Sequence, residues 1–128
     1  MPGNSATYHE AYELLSDKTR NLHRAIVSLT EELEAIDWYQ QRAEACTDEE
    51  LKAVLVHNKN EEIEHASMVL EWIRRNSPEF RERLGTYLNT EGPITEIEKQ
   101  VEKGGGPAGE GKGSASGALG IGSLKGLR

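Results

Sequence analysis

Apolar residues recur with helical spacing along the first part of the chain. They stand three or four positions apart, with only Thr19 interrupting the series: Tyr8, Tyr12, Leu15, Leu22, Ile26, Leu29, Leu33 and Ile36. This spacing places their side chains on one face of a helix. We therefore predict a long amphipathic helix that starts near Tyr8 and ends near Cys46.

A second long helix is predicted from Thr47 to about Asn76. Thr47 is followed three residues later by Glu50, the spacing of a capping box, and Asp48 and Glu49 suit the positive end of a helix dipole. The apolar stripe of this helix consists of Leu51, Val54, Leu55, Ala66, Val69, Trp72 and Ile73. Because only a short turn links the two helices, they are expected to pack as an antiparallel hairpin.

Beyond Asn76 the sequence predicts one short helix and little more. Ser77 suits an N-cap and Pro78 the first helical position, and this helix would run through Leu88 before residues 90–93 break it. Residues 94–103 are expected to add a last turn or two. No segment shows the alternating pattern of a β-strand, so the predicted fold class is all-α: a two-helix hairpin plus a short C-terminal helix.

Such a hairpin leaves part of its apolar surface uncovered. Each stripe can face only one partner helix, so one apolar side of the hairpin is predicted to be exposed. Dimerisation into a four-helix bundle is the preferred solution, because symmetric homo-oligomers are the commoner arrangement. Association with a different protein is the alternative.

Composition and charge limit what this body can do. The chain has 128 residues, and residues 104–128 are so rich in Gly, Ser and Ala that the folding body is taken as residues 1–103. The formal net charge of −7 argues against nucleic acid and favours cations. Cys46 is the single cysteine, so no disulfide can form within one chain and a reducing cytosol is expected. With no signal peptide and no apolar run long enough for a membrane, we expect a soluble, non-exported protein.

Three polar residues stand where the second helix should be apolar: Asn58, Glu62 and His65. Glu62 lies at the centre of the stripe, where an unpaired carboxylate is costly and must be protonated, ion-paired or bound to a metal. A Glu that is satisfied by His65 or by an Arg of another chain is the purely structural explanation. Glu62 and His65 also form a Glu-x-x-His pair, which directs a carboxylate and an imidazole to one point inside a helical bundle.

A carboxylate on the first helix favours the metal interpretation. The stripe of that helix centres near Leu22, Leu33 and Ile36, and Glu32 and Tyr39 lie at its edge. Di-iron carboxylate bundles take one Glu from each of two helices and a Glu-x-x-His from each of two more. The chain contains a single Glu-x-x-His, so a complete site needs two chains. The uncovered apolar side requires the same dimer.

Glu31, Glu34 and Trp38 lie together on the opposite face of the first helix. Two carboxylates three residues apart are most often a solvated face, but a Trp between them is uncommon without a partner surface. An outer, weaker cation site that feeds the buried one is the functional alternative. No role is predicted for the remaining histidines and the cysteine: His9, His23, His57 and Cys46.

The C-terminal tail combines a linker with a short apolar peptide. Residues 104–118 are Gly-rich and predict a disordered, flexible linker. The large aliphatic residues that follow are Leu119, Ile121, Leu124 and Leu127. An apolar peptide after a linker is typical of a tethered docking motif for a groove on another protein, and a frayed terminus is the alternative.

With these features the chain resembles a known family, the encapsulated ferritins, which are packaged inside encapsulin nanocompartments of bacteria and archaea. The segments that carry the resemblance span nearly the whole chain and are "HRAIVSLTEELEAIDWY", "HNKNEEIEHASM", "TYLNTEGPITEIE" and the terminal "LGIGSLKGLR". The resemblance implies a two-helix protomer whose dimer rebuilds a ferritin-like four-helix site. It also implies that the dimers form a ring, commonly a decamer, and not a hollow ferritin cage.

The resemblance further implies roles for single residues. Glu32, Glu62 and His65 match the family's iron ligands, and Tyr39 matches a tyrosine that supports them. The outer metal site, open to other divalent cations, is matched by Glu31, Glu34 and Trp38. Residues 119–128 match the encapsulin-targeting sequence, which implies a cytoplasmic location in the lumen of the compartment, where the shell would hold the mineral.

The predicted function is that of a ferroxidase. Two Fe(II) ions would bind between two chains, and dioxygen or peroxide would take electrons from both. Bridging by Glu62 of each chain would keep the two ions close, and Tyr39 would either orient Glu32 or supply an electron. A non-catalytic metal-binding cargo protein and a di-iron peroxidase or oxygenase on the same ligands are the alternatives.

Overall fold

The computed structural model describes residues 7–104, which fold into helices. A short 3-10 helix, Tyr12–Leu14, is followed by α1 (Asp17–Ala45), α2 (Glu49–Asn76), α3 (Pro78–Tyr87) and α4 (Ile94–Gly104). No strand occurs in this range, which confirms the all-α fold class. The linker from residue 105 onward and the peptide at 119–128 lie outside the described residues.

The first long helix begins at Asp17, so the prediction that it starts near Tyr8 is wrong. Ser16 caps this helix, because its hydroxyl accepts a hydrogen bond from the backbone N–H of Thr19 at 3.1 Å. The preceding Tyr12–Leu14 form a separate 3-10 helix. The apolar residues before Ser16 therefore belong to a distinct N-terminal segment, although their spacing continues that of α1.

Aromatic contacts hold this N-terminal segment against α1. The Tyr8 ring centroid lies 4.3 Å from that of His23 and 5.5 Å from that of Tyr12. The Arg20 guanidinium lies 3.8 Å from the Tyr12 ring centroid and donates a hydrogen bond to the Tyr12 carbonyl at 2.7 Å. His23, for which the sequence predicts no role, therefore has a packing role.

Helices α1 and α2 are joined by residues 46–48 and pack against each other as the predicted hairpin. The cap of α2 differs from the prediction by one residue. Asp48, and not Thr47, accepts a backbone hydrogen bond, from the N–H of Leu51 at 2.9 Å. Asp caps a helix at least as well as Thr, and its negative charge also suits the positive end of the helix dipole.

The hairpin buries little of its apolar surface, which confirms the prediction of an exposed apolar side. Among residues 7–104, the buried apolar side chains are those of Ala43, Ala66 and Ile73. Large apolar side chains that stay exposed on the two long helices include Ile26, Leu33, Trp38, Leu51, Val54, Ile63, Met68 and Trp72. So much exposed apolar surface marks an interaction surface, and the predicted dimer remains the preferred explanation.

A carboxylate with two guanidinium partners stabilises the C-terminal end of α2. Arg74 donates to Glu71 from Nε and Nη2, both at 2.8 Å, and Arg75 donates from Nε at 2.6 Å. These hydrogen bonds, above all those from Arg74, lower the pKa of Glu71 from 4.5 to about 2. Because the pKa is lower in the folded protein, the stabilisation is full above pH 4.5 and is lost as the pH falls toward 2.

We expect Glu71→Gln to lower the free energy of unfolding at pH 7 by about 1 kcal/mol or less, because the three side chains are between 40% and 71% exposed and water screens them. The difference from the wild type should shrink as the pH falls from 4.5 to 2. Denaturation followed by circular dichroism across this range measures it, with the exposed Glu64→Gln as a charge-matched control on the same helix. A difference as large at pH 2 as at pH 7 would contradict the assignment.

Among the described residues, 77–104 belong to a second compact unit. Ser77 caps α3 by accepting the backbone N–H of Phe80 at 3.3 Å, and Pro78 is the first helical residue, which confirms both predictions. The turn after α3 uses left-handed backbone at Asn89 (φ 60°) and at Gly92 (φ 88°). Gly92 tolerates this conformation without a steric penalty because it has no Cβ.

Helix α4 is longer than the one or two turns predicted. Ile94, Ile97 and Val101 repeat at helical spacing and give the segment an apolar stripe, and Lys99 pairs with Glu96 at 3.4 Å. Helices α3 and α4 contact each other. Along the part of the chain that the structure covers, no helix has both the length and the apolar character needed to cross a membrane.

Candidate metal centre

The two hairpin helices meet along a seam of half-buried and buried side chains that repeat at intervals of three and four residues. On α1 the seam consists of Ala25, Leu29, Glu32, Ile36, Tyr39 and Ala43. On α2 it consists of Leu55, Lys59, Glu62, Ala66, Val69 and Ile73. Each series therefore carries one carboxylate near its middle, among largely apolar neighbours.

Glu32 lies deeper in the hairpin than the sequence predicts. Its side chain is 25% exposed, whereas Leu33, which the sequence predicts near the centre of the stripe, is 53% exposed. The stripe of α1 is wider than one helix can cover. Helix α2 covers the flank that holds Glu32 and leaves Leu33 and Ile26 on the other flank.

The structure brings Glu32, Glu62 and His65 together. One ligand atom of each residue lies within 4.8 Å of the other two. The Nδ1 atom of His65 lies 3.5 Å from Oε1 of Glu62 and 3.7 Å from Oε1 of Glu32. Two carboxylates and an imidazole form a donor set that suits iron, because carboxylates are hard oxygen ligands and imidazole binds iron as well.

The two carboxylates share one site, and this raises the pKa of Glu32 above its ordinary value. The side-chain hydrogen bond with Glu62 is the largest cause, followed by desolvation and by the charge of Glu62, whereas His65 acts in the opposite direction. A cation bound at this point would offset the repulsion between the two carboxylates and favour their ionised forms.

Glu61 extends the cluster toward solvent. Its Oε1 lies 4.0 Å from Nε2 of His65, and its Oε2 lies 3.9 Å from Nε2 of His57. The three residues are spaced four apart on α2 and so lie one turn from each other. Glu61 was missed in the sequence, although a Glu with a His four residues away on both sides is a signal that could have found it.

Tyr39 follows Glu32 by two turns on the same face of α1. It is half-buried on α1, about 10.5 Å from Glu32 along the helix axis. The Arg42 guanidinium lies 5.6 Å from its ring centroid. Its supporting role at Glu32 stays a prediction.

Glu31, Glu34 and Trp38 are all exposed, and the Trp38 side of α1 is turned away from the seam. The Trp38 indole is 50% exposed, as expected for a side chain that would be covered by a partner surface. In the described range the structure groups no third carboxylate, His or Cys with Glu31 and Glu34. The outer cation site at this face stays a prediction.

Comparison with known proteins identifies the class. The chain matches the EncFtn-like family over residues 7–91 and therefore belongs to it. It is 55% identical over 130 aligned residues to the encapsulated ferritin-like protein of Rhodospirillum rubrum, a match that covers 98% of this chain and 93% of that protein. It is 50% identical over 97 residues to the ferritin-like protein of Thermotoga maritima, covering 76% of this chain and 85% of that protein.

A solved structure shows the same fold. The crystal structure of a protein from Nitrosomonas europaea is 60% identical in sequence and superposes with a TM-score of 0.66, covering 68% of this chain and 96% of the other. The resemblance to encapsulated ferritins is thus confirmed. Together with the Glu32, Glu62 and His65 cluster, family membership assigns the protein an iron-related, ferritin-like function.

Proposed function

We propose that this protein is a ferroxidase that oxidises Fe(II) at a site formed between two chains, to which each chain supplies Glu32, Glu62 and His65. The observation that carries the proposal is the convergence of these three side chains in a hairpin whose apolar surface is largely exposed. Di-iron bundles need two such sets of ligands. A second hairpin would supply the missing set and cover the exposed apolar surface at the same time.

The reaction uses iron as its substrate. Two Fe(II) ions give up one electron each, and dioxygen takes up these two electrons with two protons to form hydrogen peroxide. Hydrogen peroxide can serve as the oxidant instead, because it takes up two electrons and two protons to form two waters. Carboxylate oxygens favour Fe(III) over Fe(II), so Glu32 and Glu62 assist the loss of the electrons, while Tyr39 orients Glu32.

Oxygen uptake tests the proposal. On addition of Fe(II) to the metal-free full-length protein, we expect rapid consumption of dioxygen that saturates when the sites are filled. A non-catalytic metal-binding cargo protein, the alternative function, would bind Fe(II) without taking up oxygen faster than buffer does. The latter result would overturn the proposal.

The proposed location is the lumen of an encapsulin nanocompartment, where dimers arranged in a ring supply Fe(III) for mineralisation. The support is the sequence of residues 119–128, which follows the linker at 104–118, and the 55% identity to a protein named encapsulated ferritin-like protein. In this arrangement the body at 1–103 carries the chemistry and the terminal peptide binds the shell protein. A flexible linker keeps the two independent.

Deletion of residues 119–128 is expected to abolish co-purification with a co-expressed encapsulin shell and to leave Fe(II) oxidation in free solution unchanged, because the linker separates the peptide from the metal centre. Pull-down of the shell and oxygen uptake measure the two effects. As a positive control, the same ten-residue segment fused to an unrelated protein should direct it to the shell. Loss of oxidation in the truncated protein would show that the tail belongs to the fold.

We propose that Glu31, Glu34 and Trp38 form an outer cation site that acts before the buried one. Replacing both carboxylates, Glu31→Ala with Glu34→Ala, should change the rate of Fe(II) oxidation by up to about tenfold without changing the final iron content, because exposed charges alter the local cation concentration. Stopped-flow absorbance and iron analysis measure the two quantities. The exposed pair Glu10→Ala with Glu13→Ala has the same spacing and charge change and should have no effect. A double variant that binds no iron at the dimer interface would contradict the assignment.

A further inference from the structure

We propose that Glu61 positions His65: its carboxylate accepts the Nε2–H of the imidazole and thereby directs Nδ1 toward the metal. The proposal rests on the metal centre of the proposed function and adds a residue to it that binds no metal itself. His65 would bind the cation through Nδ1, and Glu61 would determine which nitrogen does so.

The orientation of the His65 ring carries the proposal. Nδ1 faces the two carboxylates of the candidate centre, at 3.5 Å from Glu62 and 3.7 Å from Glu32. Nε2 faces the other way, with Oε1 of Glu61 at 4.0 Å. The two nitrogens therefore have separate partners, and Glu61 is the carboxylate on the side away from the metal ligands.

The chemistry of a bound imidazole explains why Nε2 needs such a partner. A neutral imidazole that binds a cation through Nδ1 carries its single proton on Nε2, which is then a hydrogen-bond donor. A carboxylate that accepts this hydrogen bond fixes the ring orientation and increases the basicity of the binding nitrogen. Glu61 lies one turn before His65 on α2, at the spacing where helical side chains meet.

The distance of 4.0 Å is longer than a hydrogen bond, and the exposure of both side chains allows it to close. The side chains of Glu61 and His65 are 49% and 45% exposed, so Glu61 can rotate on its solvent side. His57 stands on the far side of the carboxylate, with Nε2 at 3.9 Å from Oε2 of Glu61. The Glu61 carboxylate thus lies between two imidazoles on the same helix face.

Zn(II), which is redox-inert, serves as the probe of the full-length, metal-free protein. We expect Glu61→Ala to weaken Zn(II) binding by about 10- to 100-fold, the range found when a partner of a metal-binding His is removed. Glu61→Gln should retain most of the affinity, because its side-chain carbonyl accepts the same hydrogen bond. Glu64→Ala, next to His65 in sequence but on another helix face, removes the same charge and should leave the affinity unchanged. Calorimetric titration measures all three.

The binding nitrogen is identified directly by 15N chemical shifts of histidine-labelled protein with Zn(II) bound. We expect Zn(II) on Nδ1 of His65 and the proton on Nε2 in the wild type and in Glu61→Gln, and a mixture of the two arrangements in Glu61→Ala. Binding through Nε2 in the wild type would overturn the proposal. A Glu61→Gln variant as weak as Glu61→Ala, or a Glu64→Ala variant that loses as much, would also overturn it, because either result would indicate a charge effect and not positioning.

These outcomes are independent of the oxidation chemistry. If Glu61→Ala weakens Zn(II) binding through Nδ1 of His65 and Glu61→Gln retains it, but the wild type takes up no oxygen with Fe(II), the ferroxidase fails and the role of Glu61 stands. If oxygen uptake is rapid and Glu61→Ala binds Zn(II) as the wild type does, the ferroxidase stands and the role of Glu61 fails.

Discussion

Replacing Glu62 with Ala is expected to reduce Fe(II) oxidation to the rate of buffer alone. Glu62 would contribute a carboxylate from each chain of the dimer, so a single substitution removes two ligands from one site. The helices should stay intact, because Glu62 is one half-buried residue within the 28-residue helix α2 and Ala favours helix. The dimer should be at least as stable as before, since a partly buried carboxylate is lost from its interior.

Oxygen uptake and circular dichroism of the same sample separate loss of the site from loss of the fold. Glu64→Ala removes an exposed carboxylate two residues further along α2 and should oxidise Fe(II) at the wild-type rate. An active Glu62→Ala variant would show that Glu62 is not a ligand, and the proposed site would then be wrong.

Addition of Fe(II) to the metal-free protein without oxygen is expected to convert monomers into dimers and larger rings. A chain with half a site binds iron tightly only when it is paired with a second chain, so binding and assembly are linked. A cation that binds only the assembled state stabilises that state by about 2.7 kcal/mol at a hundredfold excess over the dissociation constant. Cations also neutralise the Glu32 and Glu62 carboxylates of both chains, which would otherwise repel each other across the interface.

Native mass spectrometry or analytical ultracentrifugation under anaerobic conditions measures this shift. A chelator should reverse it at least in part. Glu32→Ala should reduce the response to Fe(II), whereas Glu64→Ala should leave it unchanged. A metal-free protein that is fully assembled at nanomolar concentration, with no response to iron, would show that apolar burial alone holds the oligomer together.

The helices and the pairing of Glu62 with His65 could be predicted because both depend on local spacing. Apolar periodicity located α1 and α2, and the i, i+3 spacing of Glu62 and His65 ensures that the two side chains lie on one helix face. The prediction of Ser77 as an N-cap and of Pro78 as the first helical residue also rested on neighbouring positions. These features follow from positions within a few residues of each other, which a sequence displays directly.

The predictions were wrong where one sequence pattern is compatible with two different structures. The spacing of Tyr8, Tyr12 and Leu15 continues that of α1, and only the hydrogen bond from Thr19 to Ser16 shows where the helix begins. For Leu33 and Glu32, periodicity gives the direction of the stripe but not which of its flanks α2 covers. That choice depends on the packing of two helices against each other.

The contacts of Glu61 were missed for a similar reason. Spacing alone places Glu61, His57 and His65 within one turn of each other, yet exposed residues at this spacing are common on helices. The distances from the two oxygens of Glu61 to the two imidazoles distinguish this group from an ordinary solvated face. Ring orientation at His65 is a property of the folded side chains and could not be derived from the sequence.

The short connection at residues 46–48 separates two steps in time, the folding of one hairpin and the meeting of two hairpins. The contacts of the hairpin are local, and helical folds of that kind form in roughly microseconds to milliseconds. Two chains at about 1 μM, associating at roughly 10⁵–10⁷ M⁻¹ s⁻¹, need about 0.1–10 s to meet. A newly synthesised chain would therefore spend far longer as a folded hairpin with half a metal centre than it takes to fold. If the proposed site between two chains is correct, the rate at which complete metal centres form would follow the square of the protein concentration.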